Sequence, residues 1–287
     1  MSDSLAIGDA PTDLQWLQAN YNNRARVPTA SRQLADWASR SARTRASYAK
    51  HQRCTLDVVY GTSAGETLDV FVPKLGKKTD LRPVVVFIHG GYWRRFSPRE
   101  FSHLARALRD AGQAVALPSY TLAPEARISQ ITDEMMRAVC HAAGLVEGPI
   151  RITGHSAGGH LATRMMCEGV LPDAVASRVV QVMSISGVHD LRSLLNTEIN
   201  QDLRLTLEEA MRESPALLLP RKTARFVAAV GGDERPEFIR QNDLLANIWH
   251  GAGVEIEAMH LAGLHHFDVI EELERLDGRL LQQILAD

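Results

Sequence analysis

The chain has 287 residues, 45% of them hydrophobic and 23% charged, which is ample material for a large buried core. Its formal net charge of -2 supplies no basic field for a nucleic-acid or anionic-membrane partner, and pairs such as Arg94-Arg95 and Arg221-Lys222 are too short to act as one. Three widely spaced cysteines, Cys54, Cys140 and Cys167, form no Cys-x-x-Cys pair, which argues against a disulfide framework or a zinc site and for small buried apolar residues.

The first residues lack the basic-then-apolar pattern of a signal peptide, and no run reaches the roughly 18 apolar residues of a membrane span, so a cytoplasmic location is the default. Residues 1–52 are polar and basic, with helical stretches at Thr12–Tyr21 and Ser31–Lys50, and are expected to form an N-terminal helical cap. A hairpin is predicted next. Thr55–Tyr60 and Thr67–Val72 alternate apolar and polar residues, and Gly61 to Gly65 supplies turn chemistry between them.

Then the pattern changes. Pro83–Ile88 is a continuous β-branched run, as a strand buried on both faces requires. Ala114–Leu117, Ile150–Thr153, Val179–Ile185, Phe226–Val230 and Val254–Met259 read as further buried strands. Helices are predicted at Phe101–Ala111, stopped by Gly112, at Ile128–Ala143, at about Ala157–Cys167, and from about Asp268 onward. Such alternation predicts an α/β fold with a mostly parallel sheet, helices on both faces and the hairpin as an antiparallel edge. No linker divides residues 1–287, so one domain is expected, with Asp190–Pro220 as a helical insertion over the active-site end of the sheet.

The strongest chemical signal is Gly154-His155-Ser156-Ala157-Gly158-Gly159, a G-x-S-x-G match with a strand before it and a helix after it. That context places Ser156 on a sharp turn as a nucleophile, with the helix N-terminus favouring negative charge nearby. His89-Gly90-Gly91-Tyr92-Trp93 directly follows a strand and suits an oxyanion hole, with N–H groups of Gly91 and Tyr92 joined by that of Ala157. His89 reads as a loop organiser rather than a base. Tyr92 and Trp93 either line a substrate pocket, with His155 beside them, or pack the loop onto the sheet.

A base is expected after the last strand, where His265 and His266 compete. The acid should follow the preceding strand, in Gly231-Gly232-Asp233-Glu234-Arg235-Pro236-Glu237-Phe238. Counting from the turn glycine favours Glu234, with Asp233 as the alternative. The remaining acids read as residues of a polar loop.

Together these stretches resemble the kynurenine formamidase (arylformamidase) group of the α/β-hydrolase fold. The matching residues are HGGYW at 89–93, GHSAGG at 154–159, PEFIRQ at 236–241 and HHFDVI at 265–270, with YNNRARVP at 21–28 and SGVHDLRSLL at 186–195. HGG and GHSAGG are shared with many esterases and specify only the fold. The resemblance implies His266, the histidine immediately before Phe-Asp, as the base, and Glu234, two residues before Pro-Glu-Phe, as the acid. Eukaryotic members look to use Asp there, so Glu234 is a departure that implies a substrate preference of its own.

A separate, metal-dependent class of formamidase has a histidine-rich motif that is not visible here, so no metal or other cofactor is expected. The implied activity is a serine hydrolase releasing a small acyl group from N-formylkynurenine-like aryl formamides. A carboxylesterase on short-chain or aryl esters would use the same residues, and a non-catalytic binding module is the reading from another class. The expected partner is a small-molecule substrate, with a homodimer left open.

Overall fold

The computed structural model describes residues 14–73 and 83–286. Eight strands form one sheet: β1 (Cys54–Val59), β2 (Thr67–Phe71), β3 (Val84–Ile88), β4 (Ala114–Pro118), β5 (Ile150–His155), β6 (Val179–Ile185), β7 (Arg225–Gly231) and β8 (Ile256–Leu261). Their order is β1-β2-β4-β3-β5-β6-β7-β8. The β1–β2 and β2–β4 pairs are antiparallel and all the others parallel, as the hairpin and the buried runs predict.

Helices α1 (Leu14–Tyr21), α2 (Asn23–Arg26) and α3 (Ala30–Lys50) precede the sheet. Helices α4 (Ala105–Asp110) and α5 (Ile128–Gly144) flank β4, and α6 (Ala157–Arg164) and α7 (Asp173–Ala176) lie between β5 and β6. Helices α8 (Asn200–Leu203) and α9 (Leu207–Arg212) belong to the segment between β6 and β7. Helix α10 (Pro236–Gly251) joins β7 to β8, and α11 (Arg279–Leu285) comes last.

The VVVFI run of β3 is buried at every position because helices cover both faces. Side chains alternate along a strand, so Val84, Val86 and Ile88 enter one core with Ile131 of α5, Leu161 of α6 and Leu245 of α10. Val85 and Phe87 enter the other, with Trp37 of α3, Leu108 of α4 and Leu281 of α11. From β3 the chain passes to β4 on one side, then crosses back to β5 on the other. That reversal opens a crevice beyond the carboxyl ends of β3 and β5, where ligands bind in open α/β sheets.

Several element boundaries differ from the sequence reading. Of Phe101–Ala111 only Ala105–Asp110 is α-helical, since 3-10 turns at Pro98–Glu100 and Ser102–Leu104 take up the start. The helix after Ser156 ends at Arg164 rather than Cys167. There the N–H groups of Met166 and Cys167 turn to Thr163 and Arg164 at 3.0 Å each, and Cys167 pairs with Pro220 as an isolated bridge. The last strand lies at Ile256–Leu261, displaced from Val254–Met259. After Asp268 the chain forms a 3-10 turn, Val269–Leu273, and then α11. The expectation for Thr12 and Asp13 lies outside the described residues. No helix among those residues is long and apolar enough to cross a membrane.

Candidate active site

Ser156 joins β5 to α6 with φ 57° and ψ -120°, a backbone state that costs a non-glycine residue of order 1–3 kcal/mol. The turn is held from both sides. The Ser156 N–H donates to the Ile185 carbonyl at 2.8 Å, and its own carbonyl accepts from the His160 N–H at 3.1 Å. Glycine is required around it: a Cβ on Gly158 would strike the Ile88 carbonyl oxygen, and one on Gly154 the Gly158 carbonyl oxygen.

The loop after β3 turns by left-handed backbone at Gly91 (φ 113°), Tyr92 (φ 54°) and Trp93 (φ 55°). Gly90 lies against Ser156, since a Cβ there would sit 2.7 Å from the His155 carbonyl oxygen and 3.0 Å from the Ser156 Cβ. Among the described residues no protein acceptor takes the backbone N–H of Gly91, Tyr92 or Ala157. His89 is buried between Tyr120, stacked at 4.4 Å, and Phe101 at 5.9 Å, and its Nδ1–H donates to the Gly90 carbonyl at 2.8 Å. Burial pulls its pKa down to about 4, so it stays a neutral loop brace.

His266 stands across the crevice in the loop after β8. Its Nδ1 lies 2.6 Å from Glu234 Oε2, in the turn after β7. Glu234 is 5% exposed, and its Oε1 accepts from the Gly231 N–H at 2.9 Å and from the Ser186 hydroxyl. Such bonds hold the carboxylate in one orientation. The His266 ring packs on Phe238 at 4.6 Å and against His155 at 4.6 Å. His155 Nε2–H donates to the His266 carbonyl at 2.9 Å. Burial first, and then the adjacent His266, hold the His155 pKa well below its ordinary value, so His155 braces the loop as a neutral ring.

The other candidates separate cleanly. Asp233 is exposed and contributes only its backbone N–H, to Leu264 at 3.0 Å, so it is not the carboxylate on the histidine. His265 turns away from the crevice, its Nδ1 accepting from the N–H groups of Phe267 and Asp268 at 3.2 Å. Trp93, a candidate pocket wall, does not line the cavity. Its positive φ carries the indole into the core, fully buried and edge-on to His160 at 5.1 Å. Tyr92 does face the cavity, and its hydroxyl donates to the Tyr21 carbonyl at 2.6 Å. Glu237 is not an acid of a polar loop. It is fully buried in the first turn of α10, paired with Arg240 at 2.7 Å and accepting from Tyr21 at 2.7 Å and Gln241 at 3.0 Å.

A cavity of about 410 Å³ opens on Ser156 and His266. Trp37, Phe96, Phe101 and Phe267 give it aromatic walls. Charged groups line it too: Arg24, Arg94 and Arg95 beside Glu198 and Asp202, with Arg94 ion-paired to Asp202. Residues of α1 and α3 and of the segment 198–202 thus share in its lining, so both covering segments border the site. Sequence reasoning missed Ser186 and Gln241. The Gln241 side chain accepts the N–H groups of His189 and Asp190 at 2.8 Å each and so fixes the loop after β6. Among the described residues no group of three or more His, Cys, Asp or Glu stands where it could hold a metal ion.

A family model described as the alpha/beta hydrolase fold matches residues 85–267. Kynurenine formamidase of Salmo salar is 31% identical over 243 residues, 80% of each chain, and that of Danio rerio 30% identical over 76% of each. Among solved structures, a Silicibacter protein provisionally assigned as a thioesterase superposes with a TM-score of 0.87 at 38% identity, covering 94% of this chain and 99% of its own. An esterase from Thermogutta terrifontis, 18% identical with a TM-score of 0.64 over 81% of this chain and 95% of its own, shares the fold. On matches of this extent the chain is a hydrolase and belongs to the kynurenine formamidase family of the α/β-hydrolase fold.

Proposed function

We propose that the protein hydrolyses aryl formamides of the N-formylkynurenine type, with Ser156 as nucleophile, His266 as general base and Glu234 as the acid that orients it. The observation that carries this reading is the 2.6 Å contact of His266 Nδ1 with a buried Glu234, on the same cavity as a serine held at φ 57°. Glu234 fixes the Nδ1–H tautomer and leaves Nε2 free to accept the Ser156 proton. The serine oxygen then attacks the formyl carbonyl, and the N–H groups of Gly91, Tyr92 and Ala157 receive the developing oxyanion.

Collapse of the tetrahedral species breaks the C–N bond, and the aniline nitrogen departs with the proton that His266 held. Water delivers a proton to His266, attacks the formyl ester and releases formate and free Ser156. The aromatic walls suit an aryl leaving group. The charged groups of both signs suit the ammonium and carboxylate that an amino-acid side arm carries. In this reading the chain works as one domain, with the N-terminal segment and the 190–220 insertion roofing the site.

Hydrolysis of short-chain or aryl esters is the second reading, since the same serine, histidine and carboxylate would serve it, and the Silicibacter neighbour is assigned to the related cleavage of thioesters. Kinetics on N-formylkynurenine beside p-nitrophenyl acetate and butyrate separate the two. The proposal expects kcat/KM of about 10⁴ M⁻¹s⁻¹ or above on the formamide. Rapid ester turnover with almost none on the formamide would overturn the substrate assignment and leave the serine chemistry standing.

A further inference from the structure

A second cavity, of about 540 Å³, lies along the other end of α3. Leu34 and Trp37 of that helix line the catalytic cavity, whereas its residues from Arg40 to Tyr48 line this one. Five arginines surround it, Arg40, Arg43, Arg53, Arg106 and Arg109, with Asp110 and Glu274 as the carboxylates and His103 beside them. Arg40 is committed to Glu274 and to Asp36, the latter at 2.7 Å, and His103 Nε2 lies 3.3 Å from Glu274. Arg109 gives one nitrogen to Asp110 at 3.0 Å.

The remaining charge is uncompensated. Arg43 donates only to the Ser39 hydroxyl, at 2.7 Å, and neither Arg53 nor Arg106 has a carboxylate partner among the described residues. Arg109 is only 5% exposed and stacked on Tyr48 at 4.4 Å, and its Nε and Nη1 meet no acceptor. Buried donors without acceptors are unfavourable, and like charges gathered around one concavity repel one another until a counter-ion enters. A guanidinium presents paired donors matched to phosphate oxygens, and the space exceeds what a simple inorganic ion fills.

We propose that this arginine-lined cleft is an anion site that binds a multiply charged phosphate group, whether carried by a soluble compound or by a lipid headgroup. Arg43, Arg53 and Arg106 supply the charge, and Arg109 on Tyr48 forms a fixed wall.

The test is calorimetric titration of the whole protein with inorganic pyrophosphate and with ADP, together with co-sedimentation on vesicles containing phosphatidic acid. The Arg43→Glu/Arg106→Glu double variant changes two exposed positions. The Arg26→Glu/Arg32→Glu variant, whose residues line neither cavity, controls for net charge. Saturable one-to-one binding is expected, weakened at least tenfold in the first variant and unchanged in the second, with the thermal midpoint of both variants near that of the wild type. Binding of pyrophosphate or ADP assigns a soluble source. Vesicle binding lost in the first variant alone assigns a lipid headgroup. Absence of any binding below millimolar concentration, or equal weakening in both variants, would overturn the proposal, and neither result bears on formamide hydrolysis.

Discussion

Ser186 shows how much of the site rests on a residue whose stretch of sequence, SGVHDLRSLL at 186–195, gives it no chemical role. Its hydroxyl donates to Glu234 Oε1, while Oε2 of the same carboxylate meets His266. Removing that donor loosens the carboxylate without touching substrate. Ser186→Ala is therefore expected to lower kcat by about tenfold, the worth of one hydrogen bond to a charged group, with KM nearly unchanged. A fall in kcat/KM carried mainly by KM would place Ser186 in substrate binding instead. Ser156 was legible because strand, turn glycines and helix are all local in sequence. Ser186 was not, because its contact with Glu234 spans 48 residues and appears only once β6 and β7 lie side by side. Trp93 was ambiguous for a related reason: three successive left-handed residues decide where the indole goes.

At the scale of elements, the N-terminal helix is tied to the sheet by a buried polar cluster. Tyr21 at the end of α1 donates to Glu237 on α10 at 2.7 Å and receives Gln241 Nε2 at 3.1 Å. Burial, and then the Glu237 carboxylate, keep the Tyr21 pKa well above its usual value, so the phenol remains a donor. Tyr21→Phe leaves the ring in place and removes that bond, at an expected cost of about 1–2 kcal/mol. Because α1 also lines the catalytic cavity, KM should rise more than kcat falls. Denaturant unfolding and steady-state kinetics measure the two effects.

Helix α10 itself was hidden in the sequence reading, which took its acidic start for a polar loop. The signals were present: Pro236 at the first helical position, Glu237 in the first turn, and buried Phe238, Gln241, Asn242, Leu245 and Trp249 at helical spacing. Two polar residues on the buried stripe masked its period. By contrast β3 and β4 were legible as apolar runs, since burial on both faces leaves no polar position to confuse them, whereas β8, only partly buried, was misplaced by two residues.

For the whole molecule, the buried histidines set the response to acid. His89 is lowered by burial to about 4, His160 and His189 by burial to about 3, and His155 well below its ordinary value. In the unfolded chain these rings take a proton near pH 6.5. Above that pH neither state binds one and the histidines make no difference. As pH falls from about 6.5 towards about 4, only the unfolded chain gains protons, so stability drops by up to about 1.4 kcal/mol per pH unit for each ring. Urea midpoints from pH 8 to pH 4.5 should stay level and then fall below about pH 6.5. A midpoint unchanged down to pH 5 would mean that these rings are not neutral in the fold.

The whole mechanism depends on Ser156 being the nucleophile, served by His266 and Glu234. Intact-mass spectrometry after treatment with a fluorophosphonate, followed by peptide mapping, puts that role to the test without assuming a substrate. A single adduct on Ser156 is expected, with none in Ser156→Ala, and labelling should slow by about 10²-fold or more in His266→Ala, which removes the proposed general base. An unlabelled wild-type protein, or an adduct on any other residue that persists in Ser156→Ala, would refute the assignment.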